Sequence, residues 1–301
     1  KNGRVFEFGD CSFGNLLFAG AFLRLESDFN RTIADLERVF KPSGRVVNVT
    51  QGENYILVGL KSDGTLLRNE AEIVSPQNPQ VLEEIYLLEN YLTDNEIQKF
   101  NDLEYLELKN SFLKNKTRKP IISVEAKSVL ENADLIIFGP GTQHSSLFPS
   151  YLSEGVGETI AENENAEKVF LANLRKDYEI QSETISTLCS KLHYYLNRKG
   201  EIKNHPESYV TRYFFQDPTG RQKKGKNSLE LELDNFFFPS RQTIITDWES
   251  HLGTHSGKRV LDELIAIVNE RANISLKSFS YMVSIVVPVL NEERTLEIVL
   301  T

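Results

Sequence analysis

The chain of 301 residues has little cysteine and no excess of basic charge. Its two cysteines, Cys11 and Cys189, are far apart and indicate neither a disulfide framework nor a zinc site. The 34 Lys and Arg residues against 43 Asp and Glu give a net charge of −9, which argues against nucleic acid as the main partner. No apolar run approaches the roughly 18 residues of a membrane span, and the start does not resemble a signal peptide. We therefore expect a cytoplasmic protein without a membrane span.

The composition is otherwise that of an ordinary globular protein, with 40% hydrophobic and 26% charged residues. The length allows one large domain or two smaller ones. The chain begins at Lys1 rather than Met and stops at Thr301 inside an amphipathic pattern. We interpret it as a segment of a longer protein.

The most informative segment is an apolar run followed by a glycine-rich turn. Residues 135–138 predict a buried strand of a parallel sheet, and residues 139–141 read Gly-Pro-Gly. Hydroxyl side chains follow at Thr142, Ser145 and Ser146, where the next helix should start. Because a helix N-terminus exposes unpaired N–H groups, this turn can seat a phosphate; the alternative is an ordinary strand-to-helix turn. The glycine spacing matches neither a Walker loop nor a dinucleotide fingerprint.

Helical patterns alternate with apolar strands along the chain, which predicts an α/β sandwich on a mostly parallel sheet. A hairpin is expected at Asp63-Gly64. Residues 89–120 are charged and poorly periodic, so we interpret them as an insertion that is partly disordered, and residues 153–167 as an acidic loop. The predicted helices are 15–23 (buried), 29–40, one from Val124, 182–196 and 257–272, and the predicted strands are 45–50, 55–60, 65–68, 85–88, 135–138, 168–173, 209–215, 229–233 and 243–246.

Four motifs together resemble the CofD-like family. They are 12–16 (Ser-Phe-Gly-Asn-Leu), 63–65 (Asp-Gly-Thr), 133–142 (Ala-Asp through Gly-Pro-Gly-Thr) and 171–173 (Leu-Ala-Asn), in the order and spacing of that family. The family includes 2-phospho-L-lactate transferase, which builds a deazaflavin cofactor, and the bacterial gluconeogenesis factor, which binds uridine-diphosphate sugars. The resemblance covers most of the chain, and the turn and hairpin look nearer the second branch.

The resemblance implies a Rossmann-like three-layer sandwich that holds a nucleoside diphosphate derivative at the carboxyl ends of its parallel strands. Its catalytic residues are unknown, no metal ligand is predicted, and Mg²⁺ would balance charge on the diphosphate in the intact protein. Asn173 either satisfies a turn or contacts the ligand. The ligand-binding residues that the resemblance implies are Ser12, Gly14, Asn15, Gly139, Pro140, Gly141, Thr142, Ser145, Ser146 and Asn173.

Two departures from the family lie near the start. The glycine-rich first strand and loop and an Asp-Asp-Gly-Gly stretch are not in this chain, and Cys11 stands where many relatives have histidine. We therefore expect a fold that lacks its N-terminal strand and glycine-rich loop. This absence removes a large share of the nucleotide site that the resemblance implies.

A second, short resemblance lies at the end. Residues 283–293 (Val-Ser-Ile-Val-Val-Pro-Val-Leu-Asn-Glu-Glu) are similar to the first strand of family-two glycosyltransferases, where Pro288, Asn291 and Glu292 would lie beside the nucleotide. The resulting division is a CofD-like domain over 1–270, a linker over 271–282, and the first strand and helix of a truncated glycosyltransferase over 283–301. The alternative is a final strand that completes the first domain.

Three functions follow from these resemblances. The first is binding of a nucleoside diphosphate-linked metabolite, expected to be a UDP-type nucleotide sugar, in a protein fused to a glycosyltransferase. The second is transfer of a phosphorylated group from a guanosine diphosphate donor, and the third is an inactive scaffold. No nucleophile stands with its base in the sequence, which weakens the second. A homo-oligomer is left open. His144 either contacts phosphate or is exposed at a helix start, and His251 and His255 do not fit a zinc spacing.

Overall fold

The computed structural model describes residues 13–76, 80–219, 228–231, 243–251, 254–274 and 283–286. Its elements in chain order are α1 (Phe13–Arg24), α2 (Phe29–Phe40), β1 (Ile56–Lys61), β2 (Leu66–Leu67), α3 (Glu70–Val74), β3 (Leu82–Leu88), α4 (Asp94–Asn101), α5 (Leu106–Lys114), α6 (Val124–Glu131), β4 (Leu135–Phe138), a π-helix (Gln143–Leu147), α7 (Phe148–Tyr151), α8 (Val156–Glu162), β5 (Glu167–Leu171), α9 (Ile185–Leu196), a 3₁₀ turn (Pro206–Ser208), β6 (Arg212–Gln216), β7 (Thr243–Thr246), α10 (Gly257–Ile274) and β8 (Val283–Val286).

A five-stranded parallel sheet with the order β7-β6-β5-β4-β8 forms the centre of the fold. Its side chains alternate between the two faces, as strands require. Ile136 and Phe138 join the core beneath α6 to α9, whereas Leu135 and Ile137 join a second core with Leu264 of α10. Both faces are covered, which is why these strands are apolar throughout. The expected Rossmann-like three-layer sandwich is confirmed.

A smaller antiparallel sheet, β2-β1-β3, lies beside this core. The predicted hairpin at its start is confirmed, because Gly64 has a φ of 81° and the Asp63 side chain accepts a hydrogen bond of 2.9 Å from the Thr65 N–H. A left-handed φ favours glycine, and the short acceptor of Asp63 closes the turn. One face of the sheet shares the core with α9.

Residues 89–120, predicted as a partly disordered insertion, contain the two helices α4 and α5. The side chain of Glu96 bonds back to Thr93 in a capping box that starts α4. Phe100 of α4 and Leu113 of α5 are fully buried against β1 and β3. A few apolar anchors in an otherwise charged segment are enough to dock both helices on the small sheet.

The first helix lies on the surface, so the prediction of a buried helix is wrong for its environment. No residue of α1 is buried, and Phe13 and Leu23 are 78% and 74% exposed. Its packing contacts are with α2, where Phe18 meets Phe29 at a centroid distance of 5.2 Å. The predicted bounds of α2 are confirmed, and Asp28 caps its start.

Two further predictions are wrong. Residues 45–50 form no strand, because Asn48 and Val49 offer their carbonyls to Ser123 at the start of α6. Residues 153–167 contain helix α8 rather than a loop alone. At Gly157 an added Cβ would lie 2.0 Å from the Leu196 carbonyl oxygen, so only glycine allows α8 to approach α9 this closely.

Of the two strands predicted at 209–215 and 229–233, the first is confirmed as β6. β6 pairs in parallel with β5 and β7, and residues 229–231 lie outside any strand. The remainder of that second predicted strand lies outside the described residues. Within the described ranges, no helix is both long enough and apolar enough to cross a membrane.

The last described strand joins the main sheet. β8 pairs in parallel with β4, with Leu135 opposite Val283 and Phe138 opposite Val286. This pairing agrees with the alternative of a strand that completes the first domain. Pro288, Asn291 and Glu292 lie outside the described residues, so the glycosyltransferase interpretation stays a prediction.

Candidate functional site

The Gly-Pro-Gly turn lies at the carboxyl end of β4, the edge where open α/β sheets bind ligands. Gly141 has a φ of 150°, a conformation that residues with a Cβ rarely adopt. Pro140, Gly141 and Thr142 are half-buried, whereas Gly139 is buried beneath them. The turn therefore presents main chain at the rim of the sheet.

Asn173, at the end of β5, braces this turn. Its amide nitrogen donates to the Gly141 carbonyl at 2.9 Å, and its amide oxygen accepts from Gln143 at 2.8 Å. Gln143 also donates to the same Gly141 carbonyl at 3.3 Å. Asn173 therefore satisfies the turn, which is one of its two predicted roles. Contact with a ligand through its half-buried side chain stays a prediction.

A π-helix follows the turn and runs into α7. The N–H groups of Ser146 and Leu147 both donate to the Thr142 carbonyl, at 3.2 and 3.3 Å, and the hydroxyls of Thr142 and Ser146 lie 2.7 Å apart. A widened turn of this kind is often found at functional sites. Ser145 and Ser146 are buried, so they support the turn from below.

Glu179 binds the first turn of this helix from inside the protein. Its Oε2 accepts hydrogen bonds from the main-chain N–H groups of His144 at 2.8 Å and Ser145 at 3.0 Å, and its Oε1 accepts from the Ser145 hydroxyl. The residue is 5% exposed. Burial raises its pKa to about 7, and the nearby Asp177 adds to this increase, whereas the hydrogen bonds from Ser145 and His144 oppose it.

Part of the predicted phosphate seat is therefore filled by a side chain of the same protein. Sequence patterns gave no sign of this, since Glu179 lies in an irregular segment after β5 that has no periodicity. The one local clue is Asp177, whose side chain accepts from the N–H groups of Glu179 and Ile180 and so fixes a turn.

Three other amides of the turn remain open. The main-chain N–H groups of Gly141, Thr142 and Gln143 donate to no acceptor among the residues that the structure describes. Main-chain donors at a half-buried turn bond to water or to a ligand. As far as the described residues show, the rim therefore carries three main-chain donors that no protein acceptor occupies, beside two that Glu179 occupies.

His144 is fully buried, so its interpretation as an exposed residue is wrong. Its Nε2 lies 3.3 Å from the Lys191 ammonium, and its ring meets Phe148 edge-on. Because an ammonium only donates, Nε2 must accept and Nδ1 must carry the proton. That Nδ1–H has no hydrogen-bond partner in the described part of the chain. Burial and the charge of Lys191 lower the pKa of His144 well below its usual value.

Of the N-terminal residues predicted for the site, the structure describes Gly14 and Asn15. Gly14 and Asn15 lie in the first turn of α1, whose packing contacts are with α2. No hydrogen bond among the described residues joins either of them to the turn after β4. Ser12 lies outside the described residues, so the roles of all three stay predictions.

Charged groups at the ends of β6 and β7 bond one another. Asp247 accepts from Gln216 and from Arg259, both at 3.0 Å, and His255 donates from Nε2 to the Ala172 carbonyl at 3.1 Å. Burial lowers the pKa of His255 to about 4, with the Ala172 hydrogen bond opposing it. In the described ranges, no group of three or more His, Cys, Asp or Glu side chains is arranged to hold a metal.

A depression of about 450 Å³ lies elsewhere, between the end of α9 and Pro206. The segment that lines it leads into the first residue of β6, so it belongs to the amino edge of the sheet, opposite the turn after β4. Its position separates it from the edge where ligands bind in this kind of sheet.

Comparison with known proteins identifies the family. The sequence model of the family described as 2-phospho-L-lactate transferase CofD matches residues 6–230. The chain is 29% identical over 163 residues to a gluconeogenesis factor of Halalkalibacterium halodurans, covering 54% of this chain and 40% of that protein. It is 25% identical over 234 residues to a putative gluconeogenesis factor of Thermotoga maritima, covering 76% of this chain and 61% of that protein.

A solved structure shares the fold. A member of the UPF0052 family from Bacillus halodurans superposes with a TM-score of 0.60 at 19% identity, covering 84% of this chain and 71% of that one. The chain thus spans between 40% and 61% of the length of the two curated relatives. Because the family model matches well over half of the residues, the chain belongs to the CofD family.

Proposed function

We propose that this chain binds a nucleoside diphosphate-linked metabolite, a UDP-type nucleotide sugar, at the turn after β4. The observation that carries the proposal is the row of three open N–H groups at Gly141, Thr142 and Gln143. Oriented main-chain donors at a sheet's carboxyl edge suit a diphosphate, whose oxygens accept several hydrogen bonds at once. Membership of the CofD family supports a ligand of this chemical class.

The turn allows a ligand to approach its main chain closely. Gly141 has no Cβ to hold a ligand away from its own N–H, and Asn173 fixes its carbonyl from the neighbouring strand. The paired hydroxyls of Thr142 and Ser146 lie beside the same donors. A rigid turn loses little conformational entropy on binding, which favours affinity.

Binding without chemistry is the activity that the described residues support best. The hydroxyl of Ser145 donates to the Glu179 carboxylate, but both groups are buried, so this pair does not face a ligand at the rim as a nucleophile with its base would. The chain is similar to relatives named gluconeogenesis factor, the branch for which the sequence resemblance implies a uridine-diphosphate sugar, so we prefer that ligand to a guanosine diphosphate donor. Transfer of a phosphorylated group is the second candidate, because the matching family is that of 2-phospho-L-lactate transferase CofD.

Mg²⁺ belongs to the proposal as a companion of the ligand. It would neutralise part of the diphosphate charge. The described side chains do not form a set of carboxylates or imidazoles that could hold Mg²⁺. The diphosphate oxygens of the ligand would therefore have to bind the ion. A cytoplasmic location and a fusion to a glycosyltransferase remain parts of the proposal, and β8 paired with β4 gives the fusion no support.

Titration with UDP-glucose and with GDP, each with and without Mg²⁺, tests the proposal. Gly141→Val should weaken UDP-glucose binding about tenfold or more, because the added side chain covers the open donors. The matched control is Gly200→Val, since Gly200 also has a positive φ of 82° but lies in open space at the other edge of the sheet.

The outcomes separate the candidates. Equal binding by Gly141→Val and the wild type would show that the turn does not hold the phosphate. Preference for GDP would favour the transferase, and binding of neither nucleotide would leave only the scaffold.

A further inference from the structure

The carboxylate of Glu179 is held by dipoles alone. Its three hydrogen-bond donors all come from one helical turn, at His144 and Ser145. None of the salt bridges among the described residues includes it. A carboxylate at a helix N-terminus is stabilised by the kind of N–H group that also binds a phosphate, so Glu179 occupies from inside two donors that adjoin the turn.

The charged groups around Glu179 do not neutralise it. Asp177, two residues earlier, repels it, and Lys191 bonds Glu183 and the His144 ring instead. His144 is neutral, and its buried Nδ1–H has no partner in the described part of the chain. The ring of His144 therefore supplies no positive charge to offset that of Glu179.

The donors that Glu179 occupies continue the open row. Gly141, Thr142 and Gln143 carry open N–H groups, and those of His144 and Ser145 follow directly in the chain. A diphosphate seated on the first three would place negative charge next to the carboxylate on the last two. Two neighbouring negative groups in a buried site repel each other, which favours protonation of one group.

We propose that Glu179 is an internal anion that competes with the phosphate of the ligand, and that the protein takes up one proton at this carboxyl when the nucleotide binds. This inference rests on the function proposed above. The proton comes from the solvent, and the protonated carboxyl keeps its contact with the Ser145 hydroxyl while the repulsion is removed. Glu179 is thereby a positioning residue that makes affinity depend on pH.

The pH range follows from burial. The pKa of Glu179 is raised to about 7, chiefly by burial, so the free protein is largely ionised at this position above neutrality. Affinity for the nucleotide is therefore expected to fall by up to about tenfold for each pH unit above about pH 7, and to level off below it. UDP-glucose is the suitable probe, because its diphosphate is a diester without a phosphate proton that titrates near neutrality.

Calorimetric titration of the full chain with UDP-glucose tests the proposal at about pH 6, 7 and 8. Use of two buffers of different ionisation enthalpy gives both the affinity and the number of protons taken up on binding. The wild type should show proton uptake at about pH 8 and a loss of affinity of about fivefold between about pH 7 and 8. Glu179→Gln keeps an acceptor for the two N–H groups but carries no charge, so its affinity should be independent of pH and higher than that of the wild type at about pH 8. Glu162→Gln, at an exposed carboxylate at the end of α8, should keep the wild-type profile.

The possible failures are distinguishable. If neither the wild type nor Glu179→Gln binds UDP-glucose at any pH, the proposed function fails and this inference fails with it. If the wild type binds without proton uptake, or if Glu179→Gln keeps the wild-type slope, only the competition is overturned. The wild-type proton count needs no variant, so it decides the question even if Glu179→Gln does not fold.

Discussion

Two buried carboxylates of this protein are satisfied in different ways. Glu84, in β3, accepts the hydroxyls of Tyr194 at 2.6 Å and Tyr195 at 3.1 Å, and the Lys199 ammonium lies 3.1 Å from it. Glu179 accepts only main-chain N–H groups and one hydroxyl, and no cation in the described residues pairs with it. One carboxylate is neutralised by a partner charge, and the other is not.

The difference matches their places in the fold. The Glu84 cluster joins the small sheet to α9, and Lys199 also donates to the Ile85 carbonyl and lies over the Tyr86 ring at 3.9 Å. Burial lowers the pKa of Lys199, with the Glu84 charge opposing that decrease. A paired charge of this kind fixes two elements against each other, whereas an unpaired carboxylate at the sheet's edge can change its protonation near neutral pH.

Removing the cation from the first cluster should have the largest effect. Lys199→Met leaves Glu84 buried without a partner charge, so we expect a loss of about 3–5 kcal/mol in the free energy of unfolding near neutral pH. Urea denaturation measures it. Lys203→Met, at an exposed lysine of the same loop, is the control and should change stability by less than about 0.5 kcal/mol.

A double variant sharpens this test. Adding Glu84→Gln to Lys199→Met removes the stranded charge, so part of the lost stability should return. If the double variant is as unstable as the sum of the two single variants, Lys199 acts through packing on Tyr86 and not through Glu84.

Glu179 should make the free energy of unfolding depend on pH. The pKa of Glu179 rises from 4.5 to about 7 on folding, so its contribution to stability is complete below about pH 4.5 and is lost as pH rises through about 7. Relative to Glu179→Gln, the wild type should therefore lose about 3 kcal/mol of unfolding free energy between about pH 4.5 and 8.

Urea unfolding of both proteins across this range checks the difference. The buried His144, His193 and His255, whose pKa values are lowered mainly by burial, make both proteins less stable as pH falls below 6.5, so their effect cancels in the comparison. A constant difference between the two proteins at all pH values would mean that Glu179 does not titrate in the folded state within this range.

Features set by local patterns could be predicted from the sequence. The apolar runs at 135–138 and 168–173 became neighbouring parallel strands, because a strand covered on both faces must be apolar throughout. Asp63-Gly64 formed the hairpin, since only the local turn chemistry is needed there. The turn after β4 was placed correctly for the same reason.

Features set by tertiary contacts could not be predicted from the sequence. The apolar α1 is exposed, whereas the charged residues 89–120 form docked helices, because burial depends on what lies nearby and not on composition alone. Glu179 reaches His144 across 35 positions of sequence, and no periodicity connects them. The turn was therefore predicted as a phosphate seat without any sign that Glu179 occupies the N–H groups of His144 and Ser145.

The smallest expected effect comes from the neighbour that raises the pKa of Glu179. The Asp177 side chain accepts from the N–H groups of Glu179 at 2.8 Å and Ile180 at 3.2 Å, and asparagine keeps that acceptor oxygen while removing the charge. In Asp177→Asn the pH dependence of stability should keep its shape, and its midpoint should move down by less than about one pH unit. Urea unfolding locates the midpoint, with Asp262→Asn on the exposed side of α10 as the control. An unchanged midpoint would mean that burial alone sets the titration of Glu179, and an upward movement would mean that Asp177 holds the carboxylate in place rather than repelling it.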